Sequence, residues 1–290
     1  MSAPFDSYLT AYVLCRKGER AKAVKPFLAA AAASEGGFAE RCRFYALVCR
    51  VLSEKPSGKP VKHPQFYLCG VGIHHPYQIT TEILRALDAC EVLYNNLGDP
   101  QVSEFLGLFG AEIRAVTRVD NEPAMGRVQR IIAGLQRGKT SGFVTRIHPF
   151  IYRRIANDLV VVCDEKKIDF KAFGAVSLTE VAWGLGTAEP DHGPARGPFG
   201  LRVFDLVHLV KNPSQLDHRL ATIVYAIAND EDRRSFCQLV REKYDPARTV
   251  YFLAGSGDRE QQVVSAPVSR IEEKLLSLDL GTVTYLPPDL

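Results

Sequence analysis

The chain contains no apolar run of about 18 residues, so no membrane-spanning helix is expected. Its first residues, Met1-Ser2-Ala3-Pro4-Phe5-Asp6, show no basic stretch followed by an apolar core, so no secretory leader is expected. G-x-S-x-G, H-E-x-x-H and P-loop patterns are absent, which argues against hydrolase, metalloprotease and NTPase chemistry. The seven cysteines are odd in number and lack paired spacing. They read as reduced thiols of a cytosolic protein, with Cys15, Cys42, Cys49 and Cys163 set in apolar, core-type patterns. Histidines and cysteines show no metal-ligand spacing, so no metal is expected. No basic stripe interleaved with aromatics is present, so no nucleic-acid partner is expected.

What is present is a chain of 290 residues, enough for two α/β domains with an appendage, and a net charge of +3 that is unevenly spread. Residues 1–62 carry +6 and the remainder −3. Helical spacing predicts helices over residues 7–33 and 38–52, with Gly36-Gly37 between them. The proline- and lysine-rich stretch 55–64 reads as a linker. Residues 1–62 are therefore expected to form a helical hairpin and linker. The hairpin's basic face is either simply solvated, or docks a peptide or protein partner or caps a dimer.

From residue 65 onward short β-like runs alternate with helices, which points to an α/β fold. Strands are expected at 113–116, 142–145, 170–173, 200–209, 222–228, 249–253 and 282–286. Helices are expected at 125–137, 150–167, 178–185, 230–244 and 269–276. Three prolines and two glycines in 187–198 mark a loop and a domain join. The expected domains are 63–186 and 187–290.

One stretch carries more information than the rest. Phe66-Tyr67-Leu68-Cys69-Gly70-Val71-Gly72 reads as a buried strand ending in a glycine turn. Thr80 follows as a helix N-cap, then a helix from Glu82 to Ala89 and a short strand at 91–94. The third glycine of a dinucleotide fingerprint is missing, so nicotinamide or flavin binding does not follow.

Further motifs line up behind this loop: Gly98-Asp99-Pro100, Thr145-Arg146-Ile147-His148-Pro149-Phe150-Ile151-Tyr152, Gly174-Ala175-Val176-Ser177 and Pro287-Pro288. Their order resembles the tetrapyrrole methylase superfamily, over about residues 65–290, and within it the borosin-type peptide backbone N-methyltransferases. The resemblance implies a two-domain α/β tetrapyrrole-methylase-like fold, a homodimer, and S-adenosylmethionine as methyl donor between the domains. Carried over by position, the donor-binding residues are Gly70, Gly72, Thr145, His148, Pro149, Ala175, Val176 and Ser177, with Ala226 and Ala254. His74, Tyr94 and Tyr152 are candidates for an acceptor pocket.

Methyl transfer from a sulfonium is an in-line displacement, and alignment with exclusion of water is worth up to about 7–11 kcal/mol. In the peptide-methylating branch, tyrosines and an arginine after the third strand help remove the amide proton. Here residues 114–127 hold no tyrosine, which leaves Arg118 and Arg127 for the arginine and Asp120 for a base. Ile147 stands where the family's turn has glycine, and Gly174-Ala175 where it has proline-glycine. Three functions stay open: methylation of a peptide backbone amide, a decayed site serving as a binding or scaffold module, and methylation of a corrin-like or other small molecule. His148 either polarises an acceptor or holds its own turn by a hydrogen bond. His74 and His75 either line an acceptor mouth or sit in a solvated loop.

Overall fold

The computed structural model describes residues 3–54, 62–72, 77–97, 99–116, 125–135, 139–145, 148–150, 154–175, 201–225, 229–254, 262–278 and 282–288. The chain divides into two compact units, Met1–Val176 and Ser177–Leu290.

The first unit opens with three helices, α1 (Ala3–Arg16), α2 (Arg20–Ala32) and α3 (Gly36–Ser53). The single helix expected over 7–33 is broken. Gly18 takes a left-handed φ of 78°. Its N–H bonds Cys15 O at 2.8 Å, while Glu19 N–H reaches back to Leu14 O at 2.9 Å. This pair of bonds caps the orphan carbonyls of α1 and stops the helix at a residue with no Cβ penalty. The expected two-helix hairpin is thus a three-helix bundle.

An all-parallel sheet follows: β1 (Phe66–Gly70), β2 (Val92–Asn95), β3 (Glu112–Ala115), β4 (Ser141–Thr145) and β5 (Phe170–Phe173), in the order β3-β2-β4-β1-β5. Between strands lie α4 (Thr81–Asp88), α5 (Pro100–Leu106), α6 (Gly126–Ala133) and α7 (Arg154–Lys166). Thr80 caps α4 as expected, its hydroxyl accepting from Ile83 N–H at 3.3 Å. Strands β1, β2 and β4 are buried along their whole length, which is why they read as continuous apolar runs. On β1, Tyr67 and Cys69 join a core with Phe27, Tyr45, Leu87 and Phe105. Phe66 and Leu68 face the opposite core, with Phe143, Val128, Ile131 and Leu159. The N-terminal bundle therefore shares one apolar core with the sheet.

A polar clamp holds the bundle to α5. Glu104 accepts from Tyr8 Oη, from Tyr45 Oη at 3.2 Å and from Arg41 Nη1 at 3.0 Å. Its backbone carbonyl accepts from Tyr12 Oη at 3.0 Å. Asp88, at the end of α4, pairs with Arg20 at the start of α2.

The second unit holds a mixed sheet of β6 (Leu201–Asp205), β7 (Ala221–Tyr225), β8 (Thr249–Ala254), β9 (Gln262–Pro267) and β10 (Val283–Leu286), in the order β6-β7-β10-β8-β9. Only β6 and β7 are parallel; the other pairs are antiparallel. Helices α8 (Leu206–Lys211), α9 (Asp230–Lys243) and α10 (Ile271–Leu276) complete it. The strand expected over 200–209 ends at Asp205, whose carboxylate accepts from His208 N–H at 3.1 Å and starts α8. The helix expected at 178–185 and the loop at 187–198 lie outside the described residues.

Candidate functional site

In the first sheet the chain leaves β1 toward β2 on one side and leaves β4 toward β5 on the other. The two connections thus run in opposite directions past each other's strand, and α/β sheets bind ligands outside the carboxyl ends of their strands where the direction of connection changes. Two sequence-predicted residues meet at this point. Gly70 and Thr145 end their strands in register, and Val71 N–H donates to Thr145 O at 2.9 Å. Thr145 is fully buried. Gly72 turns the chain with φ 94°, and a Cβ there would stand 2.7 Å from Gln78 Cβ. Glycine is required here by the backbone and by the close approach of Gln78.

The carboxyl end of β2 adds Asn95 and Asn96, which the sequence did not single out, beside the Asp99-Pro100 pair that it did. Asn95 is buried and fully used: its Nδ2 donates to Ser103 Oγ at 2.9 Å and its Oδ1 accepts from Leu97 N–H at 3.0 Å. Asp99 caps α5 by accepting from Gln101 N–H at 2.8 Å, and Pro100 takes the first helical position. Between them, Asn96 Nδ2 is buried without a hydrogen-bond partner among the described residues. A buried donor left unmade costs about 1–3 kcal/mol, so its retention at a strand-end rim favours a ligand acceptor.

Tyr94 opens on a cavity of about 140 Å³, lined also by Arg114, Ala115, Val116, Arg127, Arg130 and Ile131. The structure thus brings together Arg127 and Tyr94, both sequence candidates, with two arginines the sequence did not single out. Arg114 points Nη1 at Tyr94 Oη at 3.5 Å, with its guanidinium 5.9 Å from the ring centroid. It also grips Glu112 through Nε at 2.8 Å and Nη2 at 3.0 Å. Among the described residues the lining holds three guanidiniums and no carboxylate. Arg127 and Arg130 stand three apart on α6, so they share a helix face; that spacing was the legible signal.

His148 accepts from Phe150 N–H through Nδ1 at 3.3 Å, which assigns the proton of the neutral ring to Nε2. Its ring lies against Gly174, where an added Cβ would approach Cδ2 to 2.4 Å. The family's proline could not occupy this position beside His148, so the departure at Gly174 goes with the histidine's placement. Pro149 and Ala175 are buried nearby in sequence to these groups. In the second unit Ala254 is buried at the end of β8. Arg118, Asp120, His74, Ile147, Tyr152, Val176, Ser177 and Ala226 lie outside the described residues.

No protein-family profile matches the chain, and no curated protein does either. Solved structures do. Uroporphyrin-III-C-methyltransferase from Thermus thermophilus aligns at 19% identity over 78% of this chain and 93% of its own, with a TM-score of 0.59. A form of that enzyme complexed with S-adenyl homocysteine aligns at 18% identity over 77% and 91%, with a TM-score of 0.59. Cobalt precorrin-4 methyltransferase, a cobalamin biosynthetic enzyme, aligns at 16% identity over 79% and 98%, with a TM-score of 0.56. The chain therefore carries the fold of the tetrapyrrole methylases.

Proposed function

We propose that this protein is an S-adenosylmethionine-dependent methyltransferase whose acceptor is a carboxylate-bearing small molecule of the tetrapyrrole kind. The observation that carries the acceptor is the cavity beside Tyr94, which among the described residues is lined by three arginines and no carboxylate. A peptide backbone amide is neutral and offers an arginine-lined cavity no anionic group to hold, whereas a polycarboxylate does. The described part of the segment that would supply tyrosines to a peptide methylase holds none. The fold neighbours act on tetrapyrrole and corrin compounds by their names, which supports the same choice.

The residues present suit the donor. A glycine-turned strand end and an unpartnered buried amide donor fit a ligand rich in oxygen and nitrogen acceptors. When bound, the donor supplies an electrophilic sulfonium methyl group. The chain's own task is placement. Arg114, Arg127 and Arg130 hold the acceptor's anionic arms, Tyr94 Oη adds a polar contact, and Asn96 Nδ2 donates to a ligand oxygen. Buried strand ends exclude water, which strengthens each of these contacts. The family resemblance adds a homodimer to this reading, checked by sedimentation of the purified chain.

Calorimetric titration with S-adenosylmethionine and S-adenosylhomocysteine tests the donor half, and competition by a carboxylated porphyrin tests the acceptor half. Micromolar binding of the donor pair supports the reading. Absence of binding by folded protein overturns it and leaves the fold as a binding or scaffold module. Tight donor binding with methyl transfer to a peptide rather than to a carboxylated ring overturns the acceptor alone.

A further inference from the structure

We propose that Cys15 and Cys49 are an oxidation site, closing a disulfide that staples α1 to α3. Their sulfur atoms stand 3.2 Å apart across 34 residues of chain, and both side chains are fully buried. A disulfide needs about 2.05 Å, so a sideways shift of about 1 Å in the two side chains suffices. Among the described residues no other pair of cysteines makes such a contact. Cys90, for example, points its thiol at Ala86 O at 3.1 Å.

The two thiols titrate as a pair. The hydrogen bond with Cys49 holds the Cys15 thiol below its ordinary value, with the Arg20 guanidinium acting in the same direction. Cys49 is pushed the other way by the same hydrogen bond and by burial. Either sulfur can be the donor in this contact, so either can attack first; the exchange balances with Cys15 as the thiolate. In that order Cys15 displaces one thiolate from a low-molecular-weight disulfide of the glutathione kind, forming a mixed disulfide. Cys49 then loses its proton, attacks Cys15 sulfur and releases the second small thiol. Two protein thiols and one small disulfide give one protein disulfide and two small thiols, so electrons and protons balance. Because both sulfurs are shielded, the first step waits on a transient opening of the bundle.

The staple has a consequence for the clamp on α5. Helices α1 and α3 carry Tyr8, Tyr12, Arg41 and Tyr45, all bonded to Glu104. Joining the two helices ties these four groups together and disfavours release of α5. This inference does not depend on the proposed methyltransferase activity.

The test uses the full chain equilibrated with oxidised or reduced glutathione, then alkylated in denaturant and digested. Expected is a linked peptide pair containing Cys15 and Cys49 in the oxidised sample, with Cys42, Cys69 and Cys90 alkylated. The oxidised protein should also melt about 5 °C higher than the reduced one. Cys49→Ala and Cys15→Ala should each abolish that shift. Failure to find the linked pair in folded, oxidised wild-type protein, or recovery of Cys15 only as its glutathione adduct, overturns the proposal whatever the variants do.

Discussion

The two units each carry a five-stranded sheet and a hollow lined by charge, yet they use charge in opposite ways. In the second unit a hollow of about 660 Å³ is lined by Asp230, Glu231 and Glu272 against Arg234 and Arg241. Its charges answer each other, with Arg241 on Glu272 at 2.8 Å. In the first unit a hollow of about 140 Å³ is lined by three arginines and a tyrosine. Buried polar side chains do not divide the units in this way. Arg233 of α9, only 2% exposed, donates to the carbonyls of Leu275 and Leu278, the latter at 3.1 Å, and lies 3.6 Å from Asp230. Its Nε, like Asn96 Nδ2 in the first unit, is buried without a partner among the described residues. Volume is a poor guide here. What separates the two hollows is the sign of their lining: opposite charges face each other in the second unit, whereas among the described residues the first lines its hollow with arginines and no carboxylate.

The sharpest way to break this comparison is to remove the structural member. Arg233→Ala should cost about 3 kcal/mol, because it empties a buried volume and strands the carbonyls of the α10 end. Hydrogen exchange should report the loss in α9 and α10 and leave the first sheet protected. If Arg233→Ala left exchange in α10 unchanged, the claim that this charge is architectural would fail.

Next in size is the functional member. Arg127→Ala combined with Arg130→Ala should weaken binding of a carboxylated porphyrin at least about tenfold while moving the melting temperature little, since α6 packs through Val128 and Ile131. Equal affinity in the double variant would remove the cavity from the acceptor site. A smaller effect is expected at Asn96. Asn96→Leu should lower affinity for S-adenosylhomocysteine several-fold and leave stability unchanged or raised, because it deletes an unpaired buried donor. A loss of stability without loss of affinity would mean that the donor is satisfied in solution by water.

Much of this arrangement was legible and some could not be. Strand β1, its glycine turn and the Thr80 cap follow from a local apolar run, a glycine and a threonine, so a linear reading finds them. The stop at Gly18 had a signal too, yet the alanine-rich stretch beyond it masked the break. Asp99-Pro100 is an N-cap followed by a first-turn proline, and α5 was missed because the pair was read as a motif rather than a helix start. Strand β9, Gln262–Pro267, was missed because an edge strand with mostly exposed side chains lacks regular alternation. The arginine cavity joins β2, β3 and α6, and the thiol pair joins α1 and α3. Both exist only after distant segments pack, so no spacing in the sequence announces them.

The least of the expected effects at neutral pH concerns a region of the first unit where polar groups are answered, the Glu104 clamp, and it shows only in alkali. Burial first, and then the Glu104 carboxylate, hold the Tyr8 and Tyr45 phenols well above their ordinary value of 10. Both are therefore protonated in the folded protein at pH values where the unfolded chain has begun to ionise. The stability they contribute is complete below pH 10 and is lost as pH rises beyond it, because the unfolded state then binds fewer protons than the folded one. Hydrogen exchange and melting curves between pH 8 and 11 should show the N-terminal bundle loosening from about pH 10 upward. Tyr45→Phe removes one of the two titrating groups, so its alkaline decline should be shallower than that of the wild type, even though its stability at pH 7 is lower by the loss of one hydrogen bond, about 1 kcal/mol. Parallel declines in the two proteins would show that Tyr45 does not titrate with the unfolding of the bundle, and the alkaline loss would then rest on Tyr8.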